Sequence, residues 1–281
     1  LFPNILDPSK DNKNIIKKFK LFGYIIGRAL FDDRLIDAPI SRVFWDLILE
    51  RPILFNSWEG SEFNISDEKL MKMAELCKEV GIELFVVDDG WFGNRTSDMQ
   101  GLGDWYANKD RFPEGFGKTA DKVRSLGVDF GFWIEPEMIQ VGSEIFKTHP
   151  EYACTVPFRE PIERRHQLMI DMSNPDVVDY LVYHLSKVIE ETRPSYIKWD
   201  FNRNMADAYS VCTPSGEFSF KYVVGSYELM KRLTEKYPNV LFEGCSSGGG
   251  RFDLGIAYYM PQSWGSDNSN AYCRTRISCG S

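Results

Sequence analysis

From Arg51 onward, the sequence alternates short β-branched and aromatic runs with amphipathic stretches that have helical spacing. Such an alternation is typical of a parallel sheet whose strands are connected by helices. Seven runs have the length and composition of strands: Ile53–Asn56, Glu83–Asp89, Asp129–Glu135, Leu168–Met172, Tyr196–Asp200, Val240–Ser246 and Ser263–Asp267.

Helices are predicted between most of these strands, at Ser66–Val80, Pro175–Glu191 and Tyr222–Lys236. The order of elements predicts an α/β fold, a (β/α)₈ barrel of the TIM type over residues 51–281. Because seven strands in about 230 residues fall short of the roughly 250 residues of a typical closed barrel, we expect the barrel to lack its last strand. Most of the strands end in an acid, Trp, Asn or Cys, at the end where barrels build active sites.

Residues 1–50 follow a different pattern. Apolar positions from Ile15 to Leu30 recur at helical spacing, and a second such run extends from Val43 to Leu49. This part of the chain is therefore predicted to be a short all-α segment that precedes the barrel domain of residues 51–281.

The composition restricts the partners. A net charge of −8 argues against nucleic acid and against an anionic membrane surface, because phosphate groups would be repelled. The six cysteines have neither CxxC spacing nor a partner histidine spacing, so no zinc site and no disulfide framework is predicted. With no leader and no apolar run near 18 residues, we expect a cytoplasmic protein without a membrane span. A homo-oligomer is left open.

Asp200 ends the apolar run Tyr196–Asp200, and Lys198 precedes it by two residues. Because side chains alternate along a strand, Lys198 and Asp200 should lie on the same face. An ammonium group favours the ionised form of a nearby carboxylate, which is the form that a nucleophile needs. The alternatives are a structural ion pair and a Schiff-base lyase or aldolase that uses Lys198.

Two further acids, Asp88 and Asp89, end another apolar run and are followed by Trp91. Paired acceptors beside a flat apolar surface suit the hydroxyl groups and ring of a sugar. A Mg²⁺ or Ca²⁺ site is the alternative, since these cations also bind clustered carboxylates. The other acids at predicted strand ends have Trp, Lys or Arg as neighbours, so no metal and no cofactor is predicted.

Asp267 follows Trp264, whose indole could desolvate the carboxyl and favour its protonated form. Alone, such an Asp is more often a cap or turn residue. Paired with Asp200 it gives the two carboxyls that glycoside hydrolysis requires. Trp58 and Trp133 also lie at strand ends and are candidate sugar-stacking residues, although a single Trp more often packs in a core.

Eight segments together resemble the microbial α-galactosidases of glycoside hydrolase family 36: RPILFNSWEG, FVVDDGWFGNR, GLGDWYANKDRFPEGF, GFWIEPEMI, RRHQLMIDMSNP, YIKWDFNR, LFEGCSSGGGRFDLGIAYYMPQSW and SDNSNA. The resemblance implies a retaining α-galactosidase that removes terminal α-linked galactose from oligosaccharides through a covalent glycosyl-enzyme.

The resemblance also implies roles for individual residues. Asp200 is similar to the family's nucleophile and Asp267 to its acid/base. The remaining positions match residues that contact the sugar or surround it: Asp88, Asp89 and Lys198 at the 4- and 6-hydroxyls, Trp133 as the aromatic floor, Trp58 at the rim, and Arg165, Asn202, Cys245 and Gly248 at other contacts. Trp264 is a further candidate for substrate binding because it lies next to Asp267 in the sequence.

One departure from the family pattern and one related activity leave alternatives open. The family usually reads SDxxDA where this chain has Asn270 in place of the second Asp. An α-N-acetylgalactosaminidase is the nearest alternative, and the space beside Cys245 and Gly248 would decide between the two sugars.

The segment of residues 1–50 resembles a piece of the N-lobe of HECT-type ubiquitin ligases, through LFPNILDP and FKLFGYIIGRALFDDRLIDAPISRVFWDLIL. No cysteine lies in the context of a thioester-forming C-lobe, so ligase activity is not expected. A catalytically inactive fusion or fragment with a HECT-like interaction segment is therefore the non-enzymatic alternative.

Overall fold

The structure, a computed structural model, describes residues 52–268 together with residues 270, 273, 276 and 277. The predicted all-α segment of residues 1–50 lies outside the described residues. The boundary near residue 51 therefore stays a prediction.

Eight strands occur in the described residues: β1 (Leu54–Asn56), β2 (Leu84–Val87), β3 (Asp129–Ile134), β4 (Met138–Ile139), β5 (Leu168–Met169), β6 (Tyr196–Trp199), β7 (Leu241–Gly244) and β8 (Gln262–Ser263). Six of them form one parallel sheet in the order β1-β2-β3-β6-β7-β8. The sheet is curled into a half-barrel, which is consistent with part of a TIM-type fold.

Seven α-helices connect or flank the strands: α1 (Trp58–Ser61), α2 (Asp67–Glu79), α3 (Phe116–Ser125), α4 (Glu144–Thr148), α5 (Pro175–Thr192), α6 (Phe218–Lys236) and α7 (Leu254–Tyr259). The predicted caps are present, since the Ser66 side chain accepts from the backbone of α2 and Asn174 precedes Pro175 at the start of α5. Helix α6 begins one turn earlier than predicted.

The prediction of a barrel strand at Leu168–Met172 is wrong. Only Leu168 and Met169 are extended, and they pair antiparallel with Met138–Ile139 in a separate two-stranded sheet. Strand β3 pairs directly with β6 instead, so the described sheet has six strands rather than seven. The pattern misled because Leu168, Met169, Ile170 and Met172 are all buried, as residues of a barrel strand would be.

Alternate residues of the strands face opposite sides of the sheet. Phe85 and Val87 of β2 pack into the large core beneath the helices, together with Ile197 and Trp199 of β6. The intervening residues form a small second cluster on the inner face: Leu84, Val86 and Tyr196, with Leu54 and Leu241 packed against them. Because of this alternation, the next inner-facing residues along the strands lie at their C-terminal ends, which form the mouth of the half-barrel.

Candidate active site

Strand alternation fixes which polar side chains meet at the mouth. Continuing the inner positions in steps of two leads to Asp88 after β2, to Lys198 on β6 and Asp200 directly after it, and to Cys245 after β7. The register agrees, because Lys198 lies opposite Trp133 of β3 on one side and Glu243 of β7 on the other. The inner face thus changes along its strands from an apolar floor to a polar rim.

Asp88 and Lys198 form a buried ion pair. The Lys198 ammonium donates to Asp88 Oδ2 over 3.1 Å, and Asn56 Nδ2 donates to the same oxygen over 2.5 Å. Burial alone would lower the pKa of Lys198, but the carboxylates of Asp88 and Asp200 raise it above its ordinary value. Lys198 is therefore held in its charged form.

Asp200 presents a buried carboxylate with a donor on each oxygen. Trp133 Nε1 donates to Oδ2 over 3.1 Å, and the backbone N–H of Phe201 donates to Oδ1 over 2.8 Å. Burial, followed by the charge of the nearby Asp200, raises the pKa of the Cys245 thiol above its ordinary value. Only 6% of Asp200 is exposed, so these donors replace most of the water that an ionised carboxylate would otherwise bind.

Asp267 lies in an exposed segment that follows β8. Its Oδ1 accepts from Trp264 Nε1 over 3.0 Å, and the Trp264 ring centre lies 5.3 Å from the Lys198 ammonium. The Asp267 carboxyl is thereby connected to the same buried cation as Asp200. Trp264 provides this connection.

Gly248 brings a second loop against this segment. Its φ is +85°, and a Cβ placed on it would lie 2.9 Å from Ser266 Cα and 3.3 Å from Asp267 N. Only glycine fits such an approach without displacement. The loop of residues 246–250 therefore packs directly on the backbone that carries Asp267.

Asp89 has a partner that the sequence analysis missed. Arg95, which is almost completely buried, donates to both carboxylate oxygens of Asp89, with Nη2 lying 2.7 Å from Oδ2. Burial nevertheless raises the pKa of Asp89 to about 6, because desolvation outweighs the attraction of Arg95. Asp89 thus differs from Asp88, whose cation is on the inner face of the sheet.

Three more of the predicted sugar contacts have described partners of their own. The Trp58 ring packs edge-on against Phe63, and Arg165 lies 3.8 Å from a carboxylate oxygen of Asp98. The Asn202 side chain accepts from Ser247 Oγ over 3.0 Å. Of the three, Asn202 has the most direct connection to the centre, through the loop that contains Gly248.

A cavity of about 450 Å³ opens against the segment that follows Asp200. Its walls come from the segment after β6 and the loop after β7, with one residue from the loop before β5: Phe201, Asn202, Arg203, Asn204, Ser246, Ser247, Gly250 and Arg164. In the part of the chain that the structure describes, no cluster of three or more potential metal ligands occurs. None of the described helices is long and apolar enough to cross a membrane.

The sequence profile of the Melibiase family matches residues 33–281. This chain belongs to the Melibiase family. Its relatives include α-galactosidase 1 of Pediococcus pentosaceus, which is 45% identical over 234 residues, and Mel36A of Lactobacillus acidophilus, which is 44% identical over 233 residues. Each alignment covers 82% of this chain but 32% of the relative, so the chain spans about a third of the length of these proteins.

The Melibiase assignment agrees with solved structures. The family 36 α-galactosidase AgaA of Geobacillus stearothermophilus superposes with a TM-score of 0.79 at 44% identity, covering 82% of this chain and 32% of that one. Two variants of AgaA are known in complex with raffinose and with stachyose. The comparisons give no support to the HECT resemblance of residues 1–50, and the Melibiase match begins inside that segment, at residue 33.

Proposed function

We propose that this chain carries the catalytic face of a retaining α-galactosidase. The observation that carries the proposal is the environment of Asp200, a buried carboxylate held by Trp133 and Phe201 on the same face as the Lys198 ammonium. These fixed donors hold the Asp200 carboxylate oxygens in one orientation, which nucleophilic attack on a sugar requires.

In the proposed reaction, an Asp200 oxygen attacks the anomeric carbon and the bond to the leaving oxygen breaks. Asp267 donates its proton to the leaving group and then removes a proton from the water that cleaves the glycosyl-enzyme. Retaining enzymes hold their two carboxyls roughly 5–5.5 Å apart, and we expect this separation between Asp200 and Asp267 when a sugar is bound.

The sugar would lie against the inner face of the half-barrel mouth. Asp88 and Lys198 would bind hydroxyl groups, because their ion pair leaves further lone pairs and N–H donors for a ligand. Trp133 would form the apolar floor of the sugar site. Asp89, held by its bond to Arg95, would support the site from the side of the sheet opposite Asp88. The contacts proposed around the ring are Trp58, Arg165, Asn202, Cys245, Gly248 and Trp264.

The proposed substrates are α-galactoside oligosaccharides, the class to which the raffinose and stachyose bound by AgaA belong. The cavity next to the segment that follows Asp200 is large enough for further sugar units, and most of the side chains that line it are polar. We favour galactose over N-acetylgalactosamine. The backbone of Ser266 packs against Gly248 and so occupies space beside Gly248 that the N-acetyl group would need.

The alternative in which Lys198 forms a Schiff base is disfavoured. A Schiff base requires a neutral amine, whereas the carboxylates of Asp88 and Asp200 hold Lys198 in its protonated form. Reduction with borohydride in the presence of a carbonyl substrate should therefore leave Lys198 unmodified.

The stereochemistry of the first product tests the mechanism. The chain is incubated with an aryl α-galactoside, and the anomeric proton of released galactose is followed by NMR before mutarotation. We expect α-galactose to appear first. Initial release of β-galactose would mean an inverting reaction and would exclude Asp200 as a covalent nucleophile.

A further inference from the structure

Two glutamates that follow β3 are both completely buried but have opposite surroundings. Glu137 has a cation, since Arg251 Nη1 lies 2.7 Å from its Oε1, and it also accepts from Trp199 Nε1 and Ser226 Oγ. Glu135 accepts only from neutral donors among the hydrogen bonds described: the backbone N–H of Asn202 over 2.6 Å and Gln167 Nε2 over 3.2 Å. Burying an ionised carboxylate without a partner cation is costly.

The charges around Glu135 do not provide that cation. Asp200 and Asp89 are the nearby acids, and both repel a negative charge on Glu135. Arg165 attracts it, but Arg165 is half exposed and lies toward Asp98. Arg95 also faces Glu135, although both carboxylate oxygens of Asp89 already bind its guanidinium. Burial, followed by the charge on Asp200, raises the pKa of Glu135 to about 8.

Glu135 also fixes the backbone that presents the proposed nucleophile. The end of β3 holds this segment at two points, because Asp200 N donates to the carbonyl of Ile134 over 2.7 Å and Asn202 N donates to Glu135. Asn202 in turn accepts from Ser247 of the loop that contains Gly248. A displacement of Glu135 would therefore move both the Asp200 segment and a wall of the cavity.

We propose that Glu135 is a positioning residue that holds the Asp200–Asn202 segment as a neutral carboxylic acid. This proposal rests on the proposed function in one respect, the role of Asp200. The neutral form keeps its acceptor for Asn202 N and adds no second negative charge beside Asp200. If the Gln167 amide is turned by 180°, its Oε1 accepts from the hydroxyl of the neutral Glu135. Within the described residues, Gln167 Oε1 has no hydrogen bond that would oppose this turn.

The matched variants Glu135→Gln and Glu137→Gln test the protonation state without relying on activity. If the folded chain keeps the Glu135 proton while the unfolded chain loses it, stability falls as pH rises from about 4.5 to about 8. Glu135→Gln removes this fall, so its melting temperature relative to the natural chain should rise across that window. Glu137→Gln leaves Arg251 buried without its anion and should lower the melting temperature throughout.

Infrared difference spectroscopy gives a second readout that is independent of catalysis. At pH 6 the natural chain should show a protonated-carboxyl band that Glu135→Gln loses and Glu137→Gln keeps. Absence of such a band, or a loss of stability in Glu135→Gln that matches Glu137→Gln and does not change with pH, would overturn the neutral state whether or not the chain hydrolyses galactosides.

Kinetics test the positioning role. Glu135→Gln preserves the shape and the acceptor, so kcat at pH 6 should stay within about tenfold of the natural value, with activity extending to higher pH. Glu135→Ala removes the acceptor and should lower kcat by about 10²-fold with a smaller effect on KM, as expected when a reacting group is misplaced. Equal losses in Glu135→Gln and Glu135→Ala would contradict the proposal.

Discussion

The Lys198 ammonium lies 3.1 Å from Asp88 Oδ2 and 5.3 Å from the centre of the Trp264 ring. A single buried cation thus connects a proposed sugar-binding carboxylate to the indole that donates to Asp267. Lys198 of β6 therefore contacts groups from two distant strands of the described sheet, because Asp88 follows β2 and Trp264 follows β8. Both the proposed sugar contact of Asp88 and the position of Asp267 therefore depend on Lys198.

Lys198→Met should destabilise the protein by about 3–5 kcal/mol, because Asp88 would be left buried without its cation. Denaturant unfolding measures this loss. The double variant Lys198→Met, Asp88→Asn removes both charges and should recover part of the stability. If the double variant were no more stable than Lys198→Met, the unpaired charge of Asp88 would not be the cause of the loss.

Asp200→Asn should lower kcat on the order of 10⁴-fold or more, even with an activated aryl α-galactoside, because no leaving group compensates for a missing nucleophile. Circular dichroism should show an unchanged fold, which makes the loss a chemical one. Substantial turnover by Asp200→Asn would remove this residue from the mechanism.

Asp267→Ala should affect substrates unequally. A good leaving group needs little protonation, so an activated aryl galactoside should lose far less activity than raffinose, for which general acid catalysis contributes about 10²–10⁴-fold. Initial rates on the two substrates measure the difference. Equal losses on both would show that Asp267 is not the acid.

Gly248→Ala should reproduce the Asp267→Ala pattern in weaker form, because the added Cβ would push on the backbone of Ser266 and Asp267. Gly127→Ala is the matched control. Gly127 has nearly the same φ, +82°, but nothing lies within 4 Å of its added Cβ. Both variants should lose roughly 1 kcal/mol of stability from backbone strain, and only Gly248→Ala should lose activity on raffinose. An active Gly248→Ala would mean that this contact does not place Asp267.

The alternation of strand residues made much of this site predictable. Once a run such as Tyr196–Asp200 is a strand, Lys198 and Asp200 must share a face, and the structure places them so. The same rule brings Asp88 and Cys245 to that face from other strands. The order of short strands and helices was likewise sufficient for the parallel α/β sheet.

Other features depend on partners that a linear sequence does not reveal. Arg95 lies in a loop, and nothing in its neighbours indicates that it is buried against Asp89. Glu135 and Glu137 are two residues apart, yet only the folded chain shows that one meets Arg251 and the other the backbone of Asn202. The buried run at Leu168–Met172 likewise has the composition of a barrel strand, although its pairing places it outside the sheet.

The central claim is that Asp200 forms the covalent bond to the sugar. Treatment with a fluorinated galactosyl fluoride, which forms a glycosyl-enzyme that breaks down slowly, should add one galactosyl group to the chain. Peptide mass spectrometry should place that group as an ester on Asp200, and an excess of galactose should slow the labelling. A label on any other residue, or turnover of α-galactosides by a chain that never becomes labelled, would contradict the account.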